Sequence, residues 1–331
     1  MTGMQHHMRD KSPHARRPFR RVYSAAAPLL VPLLVLAVLL PPQRVLCGYS
    51  RGGTFLISGY GARSGGMGGA TVASGGDESA VFWNPAFLAC LETDRLGMSY
   101  VNLVPGTTAR QSMFAYARSL KSMSSEDGEE RVSSHAVGFL YSNLMLDLAG
   151  GSGYSENIFR FAYAYSPDYF ISAGVAANLL IARSDFDAFD ALGSAVDFAL
   201  RLQLSRRTAF GFIARNAFSR VNYDDGYDQS LRRSYTAAIS TRVRPDLLVE
   251  SATEFAFGGL SRSTLGAEYA LFRNRAYLRG GVSLLTSGEN RTLPHFGIGF
   301  AFDRFSIDYN AQFDTEEAFE DTHRFSVGVR L

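Results

Sequence analysis

The sequence contains only two cysteines, Cys47 and Cys90, a single tryptophan, Trp83, and six histidines. It offers no Gly-Lys-Ser/Thr phosphate loop after its glycine-rich stretch, and beyond Leu40 no apolar run approaches the ~20 residues of a membrane helix. Each absence excludes something. With Cys47 at the end of a targeting segment, one cysteine remains, so neither an internal disulfide nor a cysteine-rich metal site can form. Three histidines lie beyond that segment, His135, His295 and His323. They fall on separate predicted strands without metal-ligand or nucleophile spacing, so no metal, no cofactor and no catalytic residue is expected, and the chain is not read as an enzyme. A mean hydropathy of −0.04 rules out a bundle of transmembrane helices. It leaves open a membrane β-barrel, whose strands need only one apolar face.

Residues 1–47 read as a signal peptide. Arg16, Arg17, Arg20 and Arg21 precede the apolar run Ala25–Leu40, which Pro28 and Pro32 interrupt, and Val45 and Cys47 suit the positions before a cleavage site. This segment holds seven of the 33 basic residues and one of the 31 acidic ones, so the remainder carries a net −4 instead of the formal +2 of the whole chain. The overall basicity belongs to the targeting segment, and no nucleic-acid partner is expected.

From Arg95 onward the hydrophobic period is 2. Val196, Phe198, Leu200, Leu202 and Leu204 alternate with Asp197, Ala199, Arg201 and Gln203, giving one face for lipid and one that holds charge. Fourteen such segments are expected, at 95–104, 110–118, 132–142, 157–166, 169–182, 194–205, 208–218, 231–244, 246–257, 262–272, 275–285, 293–302, 304–313 and 322–331. Most are near the ~9–11 residues with which a tilted strand crosses the hydrocarbon layer. Alternate links are tight, at Pro167-Asp168, Arg206-Arg207, Pro245, Arg273-Asn274 and Asp303, and the links between them are long and polar. That asymmetry belongs to outer-membrane barrels, with short periplasmic turns and long extracellular loops. Ser119–Arg131 breaks the rule, being long on the short-turn side: either a strand is displaced there or the turn carries an insertion. Tyr100, Tyr141, Tyr165, Tyr169 and Tyr309 cluster near strand ends, as interfacial girdles do.

The fold class is therefore all-β: a transmembrane antiparallel β-barrel of about 14 strands over residues 94–331, preceded by a glycine-rich segment, 48–93. The last strand, Thr322–Leu331, is expected to close against the one starting near Arg95 and to address the barrel-assembly machinery, with outer-membrane lipid as the surrounding partner. An apolar Leu331 stands where such barrels usually end in Phe or Trp. Asp197, Arg201, Arg215, Glu250 and Glu254 are the candidate lumen-lining charges, able to select solutes or to pair with one another. Asp224-Asp225-Gly226-Tyr227-Asp228 lacks the terminal acid of a calcium loop and reads as a solvated acidic loop.

The front segment carries a specific likeness. Gly61-Ala62-Arg63, Gly66-Met67-Gly68-Gly69-Ala70, Asp77-Glu78 with Ala80, and Trp83-Asn84-Pro85-Ala86 followed by Leu88-Ala89 resemble the N-terminal signature of the PorV/PorQ-type proteins. That family is related to FadL-type long-chain fatty-acid transporters. Leu265–Tyr269, Phe305–Tyr309 and the closing strand extend the resemblance over most of the chain beyond residue 47, although Arg63-Ser64-Gly65 replaces a longer aliphatic stretch. The resemblance implies a fourteen-stranded barrel with an inward-folded hatch, of which Gly66, Gly68, Gly69, Trp83, Asn84 and Pro85 are the gating candidates. It also implies one of two activities: passive transport of a hydrophobic or amphipathic ligand through the plugged barrel, or binding of secretion-associated partners at the cell surface without transport. For Asn84-Pro85 the plainer expectation is a turn in which Asn84 bonds to backbone, and for Trp83 it is packing.

Overall fold

The computed structural model describes residues 59–103, 109–126, 129–147, 153–185, 190–256, 259–286, 291–313 and 321–331. The predicted signal peptide and the start of the predicted hatch, 48–58, lie outside them.

Among the described residues fifteen strands follow three short helical pieces. The helical pieces are α1 (Ala62–Gly66), α2 (Ala80–Trp83) and a 3-10 turn, Pro85–Cys90. The strands are β1 (Arg95–Asn102), β2 (Arg110–Glu126), β3 (Glu129–Asp147), β4 (Gly153–Ser166), β5 (Ile171–Ser184), β6 (Ala191–Gln203), β7 (Thr208–Tyr223), β8 (Asp228–Gln229), β9 (Ser234–Arg244), β10 (Leu247–Ala256), β11 (Gly259–Leu271), β12 (Ala276–Leu285), β13 (Arg291–Phe302), β14 (Phe305–Gln312) and β15 (Thr322–Arg330). Each pairs antiparallel with its neighbour, and β15 closes on β1 in a continuous ladder from Arg95↔Arg330 to Asn102↔His323. Fourteen strands form the closed wall. The two-residue β8 pairs only with the outer end of β7, at Val221↔Gln229 and Asn222↔Asp228. Closure leaves no open edge along the wall, which is the condition for a sheet to stand in hydrocarbon.

Parity sorts the wall into two faces. On β6 the odd-numbered residues Ala191 through Arg201 are buried inward, whereas Leu192 is 59% exposed on the outside. Phe161, Leu179, Ile239, Leu265, Phe296 and Val327 stand outward on their strands in the same way. A water-soluble protein rarely presents so much contiguous apolar surface; on a barrel it is the lipid-facing belt. Tyr169, Phe170, Phe272, Phe302 and Phe305 are exposed at the short-turn rim. Among the described residues no helix is long and apolar enough to cross a membrane.

Short turns link β4–β5, β6–β7, β9–β10, β11–β12 and β13–β14 at one rim. Two of them use left-handed backbone without glycine: Phe272, Arg273 and Asn274 have φ of 49°, 58° and 65°, and Asp303 has 47°. The Ser119–Arg131 link is neither a loop nor a displaced strand. The β2–β3 ladder simply continues, pairing Arg118↔Val137 through Glu126↔Glu129. The flanking strands stop pairing at Ala117, opposite Arg95, and at Ser134, opposite Ser166. Beyond those positions a two-stranded ribbon projects past the short-turn rim by about 25–30 Å, at ~3.3 Å per residue.

The wall has one large irregularity. Between Val196 and Phe198 of β6 the partner residues jump from Phe218 to Ala214 on β7, and Asn216 within this bulge has φ of 52°. Two extra residues preserve parity, so both Ile213 and Ala217 remain buried. The Asn216 backbone N–H donates to Asp197 Oδ1 at 2.7 Å, which fills the hydrogen bond that the broken ladder leaves open.

Candidate functional site

Residues 59–94 fill the barrel, and the wall is shaped to receive them. A Cβ at Gly174 would stand 2.5 Å from the Ala86 nitrogen, one at Gly138 2.7 Å from a Val81 methyl, and one at Gly297 2.9 Å from the Gly66 Cα. Gly211, Gly266 and Gly281 likewise abut the backbone of Val72 or Met67. These inward wall glycines are sockets for the segment, and Gly280, which faces away, meets nothing within 4 Å. On the segment itself Gly68 and Gly69 adopt φ of 69° and 84°, which a side chain would strain.

One half of the contact is apolar. Tyr60, Val81, Phe82, Phe87, Leu88 and Leu91 pack with Met113, Ala115, Leu140, Ala162 and Ala176 of β2–β5. Small wall residues let the larger plug side chains approach, and each fully buried large side chain contributes roughly 1.5–3 kcal/mol.

The other half is polar and spans many strands. Arg63 donates to Glu268 at 2.8 and 3.1 Å and to Asp77 at 3.2 Å. Arg279 donates to Glu268 at 2.7 Å and to Asp308 at 2.6 Å, so α1 is tied through a chain of charges to β11, β12 and β14. Burial alone would lower the Arg63 pKa, but Glu268 and Asp77 outweigh it and hold the guanidinium well above its ordinary value. Tyr60, buried beside Glu78 and Asp77, is pushed well above the usual phenol range, chiefly by desolvation. Elsewhere Ser326 accepts from the Ala62 backbone at 2.8 Å, Ser283 donates to the Gly68 carbonyl at 2.8 Å, and Ser240 donates to the Ala73 carbonyl at 2.6 Å.

The predicted hatch residues fall into this interface. Asn84 is fully buried. Its amide donates to the carbonyls of Val72 (2.8 Å) and Leu200 (3.2 Å), and its oxygen accepts from the Ala86 backbone at 3.1 Å. One side chain thus caps the 3-10 turn that begins at Pro85, pins a neighbouring loop and reaches the wall. Trp83 Nε1 donates to the Tyr60 carbonyl at 2.8 Å, and its ring covers Gly59 and Gly69. Gly66 and Gly68 pack on the wall at Gly297 and at Thr264, His295 and Ser283.

Of the predicted lumenal charges, Asp197, Arg215 and Glu250 lie around the plug, Arg201 at its short-turn mouth and Glu254 toward the long-loop end of β10. Asp197 pairs with Arg160 at 2.5 Å, and Arg160 also donates to the Val81 carbonyl at 2.7 Å. Arg215 donates to the Phe82 carbonyl at 3.1 Å and lies 4.8 Å over the Phe82 ring. Glu250 accepts from the Ala73 backbone at 2.8 Å. Arg201 sits 5.5 Å over the Phe87 ring and donates to the Tyr169 carbonyl, while Glu254 is half-buried on the inner face of β10. Arg63, Glu268, Arg279 and Asp308 form one charge network and Arg160 belongs to the separate pair with Asp197, yet none of the five is among the sequence-predicted site residues. For the four wall residues the available signal was an ionisable residue on the inward parity of an otherwise regular strand. Among the described residues no group of His, Cys, Asp and Glu could hold a metal ion. The Asp224–Asp228 stretch forms a tight turn with Gly226 at φ 85°, and Asp228 pairs with Arg220 at 2.7 Å.

A plugged fourteen-stranded barrel with a lipid-facing belt is the class that this geometry defines. No protein-family model and no curated protein matches the sequence. Solved structures do match. The monoaromatic hydrocarbon channel CymD aligns with a TM-score of 0.62 at 15% identity, over 83% of this chain and 98% of that one. A Pseudomonas aeruginosa FadL homologue aligns with a TM-score of 0.54 at 12% identity, over 83% and 98%. At such identities the likeness establishes a shared fold.

Proposed function

We propose that the chain is an outer-membrane barrel of FadL-like type that passively carries hydrophobic or amphipathic small molecules past its N-terminal plug, without catalysis. The observation that carries this reading is the plug itself. A wall shared in fold with a named hydrocarbon channel encloses a segment seated on glycine sockets, and such a segment must shift before anything of molecular size can pass. Its contacts with β9–β15 are mainly hydrogen bonds and ion pairs, which exchange more readily with water or solute than apolar packing does. Gly66, Gly68, Gly69, Trp83, Asn84 and Pro85 are then the residues whose contacts must break, and Thr322–Leu331 serves as the assembly signal in outer-membrane lipid. Within this reading the front motif fits the PorV/PorQ branch.

The test locks the plug. Ser172→Cys on β5 would set a thiol opposite the native Cys90 of the plug, whose Sγ stands 3.9 Å from the Ser172 hydroxyl, within reach of a disulfide after a small side-chain rotation. Uptake of radiolabelled toluene and laurate is measured in cells lacking their own transporters. Uptake above the empty-vector level, lost on oxidation and regained on reduction, supports transport through plug movement. Uptake at vector level for both probes overturns it and leaves the partner-binding alternative.

A further inference from the structure

The short-turn mouth of the barrel is a cavity of about 820 Å³, floored by plug residues Tyr60 and Ser74–Ser79 and walled by the rim turns. That volume lies within the range of small-molecule sites. Its chemistry is opposite to that of a hydrocarbon path. Eleven arginines and five acids line it. Arg63 and Arg279 are neutralised by Asp77, Glu268 and Asp308 in the network described above, which leaves nine arginines and, among the described lining residues, two further acids, Glu78 and Asp303; Arg95 is also near Glu92.

The placement of these arginines follows from strand parity. Arg242, Arg275 and Arg304 continue the inward faces of β9, β12 and β14, while Arg206, Arg207 and Arg273 stand in the connecting turns. Among the described residues none of these six makes an ion pair. Deeper in the cavity, Arg201 is 5% exposed and its Nε, like that of Arg95, is buried with no hydrogen-bond partner. A buried guanidinium with an unmet donor, below a ring of unneutralised guanidinium groups, is an incomplete site.

We infer that this mouth is a binding site for a small polyanion bearing phosphate or carboxylate groups, held by Arg206, Arg207, Arg242, Arg273, Arg275 and Arg304 above Arg201. Planar guanidinium groups engage such oxyanions two bonds at a time, and several of them converging on one cavity favour a ligand with more than one anionic group. The site is independent of the transport reading, since it needs only the rim and the floor. A phosphate group can come from a soluble compound or from a lipid headgroup, and the same side chains would take either.

The experiment uses the full mature chain, folded in zwitterionic detergent and checked by its heat-dependent gel shift. Titration calorimetry with pyrophosphate, and separately with inorganic phosphate, is followed at low and at raised salt. The expected result is salt-sensitive binding, tighter for pyrophosphate, that weakens by about tenfold or more in Arg206→Ser/Arg207→Ser/Arg273→Ser. Arg232→Ser/Arg233→Ser, at the opposite rim, should bind as the parent does. In a second arm the protein is placed in discs of phosphatidylcholine with or without phosphatidylglycerol, and retained lipid is weighed by mass spectrometry. Phosphatidylglycerol retained by the parent and lost from the triple variant assigns the site to a headgroup; pyrophosphate binding in phosphatidylcholine alone assigns it to a soluble anion. Absence of both, or equal binding by parent and triple variant, overturns the inference. Should the triple variant lack the gel shift, Arg273→Ser alone decides the comparison.

Discussion

Arg160 on β4 and Asp197 on β6, two strands apart, meet at 2.5 Å with neither side chain exposed to solvent. The same guanidinium donates to Asn178 on the strand between them and to the Val81 carbonyl of the plug, while Asp197 accepts from the Asn216 backbone at the β7 bulge. Four wall strands and the plug are joined through one ion pair.

Breaking that pair from one side strands a buried charge. Arg160→Leu should therefore cost about 3–5 kcal/mol in urea unfolding from detergent, and Arg160→Leu/Asp197→Leu should cost less than the single change. Equal losses in the two variants would mean that the pair contributes nothing beyond its volume.

Adjacent glycines on opposite faces of β12 give a clean contrast. Gly281→Ala would drive a methyl into the Met67–Gly68 backbone and should destabilise by about 1–3 kcal/mol, with higher single-channel conductance in planar bilayers as the plug is displaced. Gly280→Ala, with open space around it, should change neither.

Asn84 offers two donors to carbonyls of the plug and the wall. Asn84→Asp keeps the shape but turns both contacts repulsive, so the plug should loosen while the wall stays closed. Hydrogen exchange should rise across residues 70–90 and remain unchanged in β1 and β15.

Glu78 sits among Asp77 and Tyr60 of its own segment, Arg95 of β1 and Asp308 of β14, and burial together with Asp77 pushes its carboxyl up to about 8. An unfolded glutamate titrates near 4.3. Between these values the folded chain keeps a proton that the unfolded chain has released, so stability falls as pH rises, by up to about 1.4 kcal/mol per unit, and levels off above about 8. Melting temperatures taken from pH 5 to 9 should show this slope, and Glu78→Gln should flatten it.

The β2–β3 ribbon beyond Arg118 and Ser133 pairs only with itself. Replacing residues 122–133 by a two-residue turn, which joins Lys121 to its ladder partner Ser134, should leave the heat-dependent gel shift of the barrel intact; loss of the shift would show that assembly needs the ribbon.

Much of the wall was legible from residue order alone. Lipid on one side and plug on the other impose a period of 2, and each strand records that demand locally, as Val196–Leu204 does. The tight turns at Arg206-Arg207 and Arg273-Asn274, and closure of the terminal strand on Arg95, follow from the same pattern. The pattern fell silent where its cause was absent: β2 and β3 continue past Ser119 to Glu126 and back from Glu129, where no lipid or plug imposes alternation on the ribbon. What only the tertiary structure decided is which distant residues meet. Gly174 is an ordinary small wall residue until Ala86 lies against it, and Asn84 caps its own turn locally but reaches Leu200 only through the folded barrel. Arg160, Arg63 and the arginines of the short-turn mouth acquire partners, or lack them, only when fourteen strands curve into a ring. Parity tells a side chain to point inward, but closure of the ring determines what it faces there.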